Sequence, residues 1–188
     1  MEIKDEINKC VDILKRGGII LYPTDTIWGI GCDATNENAV SKIFALKKRS
    51  DSKSMIVLLD NEVKLQSYIN EIPEVAWDLI EFAEKPLTII FDGAKNLAKN
   101  VIAEDGSVGI RITKDEFCKA LIEKFRKPVV ATSANISGNP SPGSFAAIDQ
   151  TIVDGVDYVV NLQQEGSNSS PSTIIRLKSN GRFEFVRK

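Results

Sequence analysis

Apolar residues in this chain switch repeatedly between a helical period and short continuous runs closed by proline or glycine, an alternation that belongs to mixed α/β folds. Ile3, Ile7, Cys10, Val11 and Leu14 share one helical face, and Gly17-Gly18 stops that helix where a C-terminal glycine is expected. The apolar run 19–22 then reads as a strand closed by Pro23, followed by the polar loop Thr24, Asp25, Thr26. Loops at the carboxyl ends of strands are where open α/β sheets place ligands. Asn36 is positioned to cap a second helix carrying Val40, Ile43, Phe44 and Leu46, which ends in Lys47-Lys48-Arg49.

The same reading predicts a strand over 55–59, helical pattern over 61–82 divided at Pro73, and strands over 87–91 and 108–112. Thr113 and Glu116 have capping-box spacing for a helix with Phe117, Leu121, Ile122 and Phe125 inward, and a strand over 129–132 follows Pro128. Short strands over 158–160, 173–177 and 183–186 close the chain. The polar stretches 133–144 and 166–172 are too short to separate domains, so one domain is expected.

Composition narrows the chemistry. The 188 residues include no histidine, which removes Ser-His-Asp and Cys-His catalysis, imidazole acid–base steps and His-ligated zinc. Chemistry must rest on Lys, Arg, Ser, Thr, carboxylates, backbone amides or a bound ion. The three cysteines, Cys10, Cys32 and Cys118, are odd in number and lack CxxC spacing, which argues against a disulfide framework and suits a reducing cytosol. Apolar runs fall far short of the roughly 18 residues of a membrane span, and no signal-peptide core is evident, so a soluble intracellular protein is expected. With 24 Lys+Arg against 26 Asp+Glu, the net charge of −2 gives no general pull on nucleic acid, and local cation clusters matter more than the total.

Lys47, Lys48, Arg49 and Lys53 place four cations in seven residues. The cluster suits either a solvated helix end or the neutralisation of a triphosphate. The segment ATSANISGNPSPGS offers Ser133, Asn135, Ser137 and Ser141 after a strand, and is by itself either a turn or an anion-binding loop. Neither a Rossmann fingerprint nor a Walker A sequence is present. Cys32 has no base partner and reads as a small buried residue, while Phe44 and Trp77 fit core faces better than a stacking role.

YPTDTIWGIGCDA at 22–34, IFALKKR at 43–49, SVGIRI at 107–112, TSANISGNPSP at 132–142 and PSTII at 171–175 together resemble, in order and spacing, the Sua5/YrdC/TsaC family of L-threonylcarbamoyladenylate synthases. The resemblance spans nearly the whole chain. It implies a YrdC/RibB-like α/β fold in one domain over residues 1–188, a twisted mixed sheet flanked by helices with a concave basic cleft. It also implies a reaction in which L-threonine, bicarbonate and ATP with Mg2+ give threonylcarbamoyl-AMP and pyrophosphate, for the t6A37 modification of ANN-decoding tRNAs. Implied partners are a tRNA and a downstream threonylcarbamoyl-transferase complex, with no membrane and a cytoplasmic location.

Position by position, Lys47, Arg49, Ser133 and Asn135 resemble the catalytic Lys-x-Arg and Ser-x-Asn pairs. Arg49, Lys53, Ser107, Ser133, Ser141 and Arg187 resemble ATP contacts. Thr26, Arg111 and Ser172 resemble threonine contacts, Arg111 as the carboxylate ligand. The chain departs from the family pattern at Ser50, Ser54-Met55, Leu58 (often histidine), Glu84-Lys85-Pro86, Trp28 (commonly tyrosine) and Thr113 (often proline). These changes touch the threonine pocket and loop rigidity more than the cationic centre. The rival readings are an RNA-binding module of the same fold, which the net charge disfavours, and a carbamoyl-transfer subdomain like that of hydrogenase maturation proteins.

Overall fold

A computed structural model describes residues 3–48, 55–162 and 170–188. Its described strands form one mixed sheet in the order β7-β1-β2-β6-β3-β5-β4-β8-β9. The strands are β1 (Ile20–Tyr22), β2 (Gly29–Gly31), β3 (Ile56–Leu59), β4 (Leu87–Phe91), β5 (Val108–Ile112), β6 (Val129–Ser133), β7 (Tyr158–Val159), β8 (Thr173–Leu177) and β9 (Phe183–Arg187). The helices are α1 (Ile3–Lys15), α2 (Glu37–Lys47), α3 (Leu65–Tyr68), α4 (Val75–Glu81), α5 (Glu116–Phe125) and α6 (Gln150–Gly155). Three parallel pairs (β1 with β7, β3 with β5, β4 with β8) stand among five antiparallel ones, as a chain that moves both strand to helix and strand to strand requires.

The period-2 alternation of the strands sorts side chains onto two faces. On one face α1 and α5 pack together over Ile20, Tyr22, Leu58, Val129 and Ala131, burying Ile7, Val11, Leu14, Phe117, Leu121, Ile122 and Phe125. Each such side chain contributes about 1.5–3 kcal/mol on leaving water. Glu6, itself fully buried, ties α1 to the sheet edge by accepting from the Tyr158 hydroxyl (2.9 Å) and the Asn161 N–H (2.9 Å). On the opposite face α2 and its neighbours cover Ile30, Val57, Leu59, Ile89, Phe91 and Ile110. On β5, β4 and β8 the residues of the first face, among them Gly109, Arg111, Thr88, Ile90 and Ile174, floor the cleft described below.

The first helix, its glycine stop and the Asn36 cap form as the sequence predicts: Gly17 has φ +73° and the Asn36 side chain accepts from the Ala39 N–H at 3.1 Å. One expectation changes. The cap of α5 is Asp115, whose carboxylate accepts from the Cys118 N–H at 2.8 Å, while the Thr113 hydroxyl accepts from the Asp115 N–H at 3.2 Å. The capping-box spacing pointed two residues early because two polar residues compete for the same free amides. The helical pattern over 61–82 resolves into a 3-10 turn at Glu62–Lys64, α3 and α4. β2 and α6 lie inside segments whose glycine and polar content masks them. Gly31 of β2 admits no side chain, since a Cβ there would lie 2.6 Å from both the Tyr22 ring and the Val130 carbonyl.

Candidate active site

The cleft encloses about 220 Å³ and is floored by Thr88 and Ile90 of β4, Gly109 and Arg111 of β5, and Ile174 of β8. Its walls are two loops that leave strands at their carboxyl ends: residues 24–28 after β1, and the Ser133–Ser141 region after β6. Antiparallel pairing of β2 with β6, Gly29 opposite Ser133 and Ile30 opposite Thr132, brings these sequence-distant loops together.

Thr24 is the hub of the first loop. Its hydroxyl donates to the Ile27 carbonyl (2.8 Å) and its oxygen accepts from the Thr26 N–H (3.1 Å). Because that one proton is used, the 3.0 Å contact between the two hydroxyls is a bond from Thr26 to Thr24. The buried Thr26 hydroxyl thereby offers lone pairs to the cleft, suited to a substrate N–H.

Arg111 is 3% exposed, pairs with Asp25 at 3.1 Å, and keeps its buried Nε without a hydrogen-bond acceptor. Arg187 reaches the same cleft through a bulge. The register of β8 and β9 slips between Ile174 and Ile175, so Arg187 stands opposite Ile174 and faces the cleft while Phe185, opposite Ile175, faces the other side. Its guanidinium donates to the Ser172 carbonyl at 2.9 and 3.1 Å, and burial together with the neighbouring Arg111 charge holds it below the usual guanidinium range. Among the described lining residues these two arginines are the charged ones, an arrangement that favours a bound anion. Ser172 is buried and shares a 2.8 Å hydroxyl contact with Thr88.

Lys47, 1% exposed, turns under the second loop. Its ammonium donates to the Ser133 carbonyl and, at 2.6 Å, to the Asn135 carbonyl, so the lysine of the first cationic motif holds the backbone of the Ser-x-Asn motif. The Ser137 N–H returns a bond to the Lys47 carbonyl at 2.9 Å. Lys48 next to it is exposed in a left-handed cap. The Asn135 amide donates to Ile136 and Asn139 carbonyls (3.0 and 2.6 Å) and closes its own loop, leaving Ser133 and Ser141 on the cleft wall.

Thr26, Arg111, Ser133, Ser141, Ser172 and Arg187 therefore line one cleft, with Lys47 and Asn135 behind its wall. Ser107 is not among the lining residues: it immediately precedes β5, and its hydroxyl donates to Asp105 at 2.6 Å. Asp105 also pairs with Arg176 at 2.8 Å, and these contacts hold its carboxyl down at about 2. Arg49 and Lys53, and the departures at Ser50 and Ser54, lie outside the described residues. Leu58, the position of a common family histidine, is fully buried beneath α1 and α5 and does not line the cleft. The structure adds Thr88, which no sequence signal marks, and Asp25, which the loop sequence displays without revealing its partner.

Cys10, Cys32 and Cys118 are buried free thiols, and burial is the largest cause raising all three above the usual thiol range, Cys10 to about 12. Trp28 is buried against Phe145, with ring centroids 4.9 Å apart, at the edge of the cleft.

A family model described as telomere recombination, covering the Sua5, YciO and YrdC proteins, matches residues 12–188. The chain belongs to the Sua5/YciO/YrdC family. Within that family it is 32% identical over 177 residues to a threonylcarbamoyl-AMP synthase of Pseudoalteromonas translucida (strain TAC 125), covering 93% of this chain and 94% of that protein. Its fold is similar to P. abyssi Sua5 complexed with L-threonine, with 28% identity and a TM-score of 0.84 over 94% of this chain. The match spans about half, 52%, of that longer chain. E. coli YciO shares the fold at a TM-score of 0.83 and 23% identity over 100% of this chain and 90% of its own. Among the described residues no helix is long and apolar enough to cross a membrane.

Proposed function

We propose that this chain is an L-threonylcarbamoyladenylate synthase that forms threonylcarbamoyl-AMP, pyrophosphate and water from L-threonine, bicarbonate and ATP. The observation that carries the reading is the convergence, in one cleft, of the Thr26 acceptor oxygen and the Arg111 and Arg187 guanidinium groups beside a serine-lined loop. An amino acid needs both: an acceptor for its amine and a fork of donors for its carboxylate. Family membership and the 32% identity to a threonylcarbamoyl-AMP synthase support the same assignment.

In this reading Arg111 grips the threonine carboxylate and Thr26 Oγ1 accepts from the amine, with Ser172 beside them. The amine captures CO2 derived from bicarbonate to give a carbamate, and a carbamate oxygen attacks the α-phosphorus of ATP, expelling pyrophosphate. No step needs an imidazole. Nucleotidyl transfer is carried by positioning and charge neutralisation, supplied by Arg49, Lys53, Arg187, Ser133 and Ser141 around the phosphates. Lys47 and Asn135 keep the backbone of the phosphate loop in place. Ser107, in the turn before β5, is read as a contact to the more distant part of ATP on its motif resemblance. The described cleft lining offers hydroxyls and guanidinium groups but no carboxylate, so Mg2+ would enter with the phosphates as Mg-ATP.

The product is a mixed anhydride that feeds the t6A37 modification of tRNA through a downstream threonylcarbamoyl-transferase complex in the cytosol, where the free thiols Cys10, Cys32 and Cys118 stay reduced. Pyrophosphate release from Mg-ATP is expected to require both L-threonine and bicarbonate. Serine is expected to work less well, by the ~1–3 kcal/mol that one methyl group contributes in an apolar niche. Pyrophosphate release indifferent to threonine, together with salt-sensitive RNA binding, would replace this reading by an RNA-binding module.

A further inference from the structure

Asp25 has no part in the reaction just described, yet it is bonded to the most buried charge of the cleft. It sits in the loop between β1 and β2, and Arg111 sits on β5, three strands beyond β2 in the sheet order. Their 3.1 Å ion pair therefore ties a wall loop of the cleft to its floor. The carboxylate is anchored independently, because the Lys114 N–H reaches its other oxygen at 3.4 Å and the loop itself is braced by the Thr24 bonds. Side-chain exposure is 4% for Arg111 and 11% for Asp25.

Stability alone is a poor account of this pair. Two buried ions give up about as much hydration as their attraction returns, and this pair leaves the Arg111 Nε without an acceptor and an Asp25 oxygen without an aligned donor. The placement of the two groups explains more. Arg111 lines the cleft, whereas Asp25 lines a separate cavity of about 850 Å³ on the α4 side. The carboxylate thus meets the guanidinium from the side of that second cavity, away from the cleft that Arg111 lines. A counter-ion placed in front would compete with a substrate carboxylate; one placed behind restricts the long arginine side chain to a single orientation before substrate arrives.

We infer that Asp25 is the positioning residue of the substrate carboxylate site, holding the Arg111 guanidinium in one orientation at the cleft floor. The inference rests on the reading of Arg111 as the carboxylate ligand. The test is steady-state kinetics of Asp25→Ala, Asp25→Asn, Arg111→Lys and the Asp25→Ala/Arg111→Lys double variant, with melting temperatures alongside. Asp25→Ala is expected to raise the KM for threonine about tenfold or more and to leave the KM for ATP within about twofold, since a guanidinium free to rotate misplaces its donors. Asp25→Asn, which keeps an acceptor at the same place, should recover to within about threefold of the parent. In the Arg111→Lys background the Asp25→Ala effect should vanish, because both changes remove one interaction. If the alanine variant does not fold, Asp25→Ser, too short to reach Arg111, takes its place.

An unchanged threonine KM in Asp25→Ala, an asparagine variant as impaired as the alanine one, or additive effects in the double variant would each overturn the proposal. If Arg111→Lys raises the threonine KM and Asp25→Ala does not, the positioning role alone fails. If Arg111→Lys leaves it unchanged, the carboxylate site is elsewhere and both readings fall.

Discussion

One face of the sheet is built in two ways. Over β1, β6 and β3 it is dry, covered by α1 and α5, and lined by Ile20, Leu58 and Ala131. Over β5, β4 and β8 the same face floors the cleft and carries the buried polar side chains of Arg111 and Thr88, with Ser172 just before β8. The strands on both sides belong to one continuous sheet. What differs is whether a helix is near enough to exclude water, and that sets what the outward residues can do. Beneath a helix, area removed from water is the favourable term. Where the strip is bare, polar groups are held by one another and keep unused donors and acceptors for a ligand.

Substitutions that respect or violate this division test it, beginning with Lys47 of α2, which supports the cleft wall from behind. Lys47→Met should lower threonine-dependent pyrophosphate formation about 100-fold or more by disordering the Ser-x-Asn backbone, which the proposed mechanism sets against the transferring group. It should also destabilise the fold, because the Ser133 and Asn135 carbonyls lose their buried donor at about 1–3 kcal/mol for each group left unpaired. Lys48→Ala, one residue along and exposed, should change neither by a measurable amount.

Leu121→Ala, in the covered half, is expected to cost about 2–5 kcal/mol in denaturant unfolding and to leave both KM values unchanged. A change in threonine KM there would show that the two halves are coupled. Arg187→Lys in the open half should do the reverse: the KM for ATP rises about 3–10-fold because a single ammonium replaces a two-pronged donor, while the melting temperature barely moves.

The thiols sharpen the contrast without mutation. Cys10, Cys32 and Cys118 all lie in covered regions that raise them above the usual thiol range, so a thiol reagent at pH 8 should modify none of them in the folded protein and all three after denaturation. The smallest effect concerns Asp105, half-exposed and bonded to Ser107 and Arg176. Its carboxyl titrates at about 2 instead of the ordinary 3.8, so it favours the folded state above pH ~4 and that contribution is lost as pH falls from ~4 to ~2. Exposure limits it to less than about 1 kcal/mol. Asp105→Asn should flatten the fall in melting temperature across that window and change little at pH 7.

The covered half was the legible one. Helical spacing in α1 and α5 named its buried residues, including Leu14, Phe117 and Phe125, because a single period decides which side chains leave water. Thr88 and the Thr24 hub carry no such signal; a threonine in a strand or loop looks the same whether its hydroxyl meets Ser172, Ile27 or solvent. Ser107 matches a motif, yet its hydroxyl is engaged by Asp105, a contact set by the turn before β5.

By itself the sequence determined the α/β alternation, the absence of imidazole chemistry and, through five ordered motifs, the family and its cationic and hydroxyl residues, since these follow from residue type and local spacing. Tertiary structure alone decided where those groups point. Pairing of β2 with β6 joined the two loops, and the β8–β9 bulge turned Arg187 into the cleft. Burial of Lys47 set its ammonium against the Ser133 and Asn135 carbonyls. Asp25 came to rest behind Arg111. Each of these depends on contacts between residues far apart in the chain, and local spacing contains no term for them.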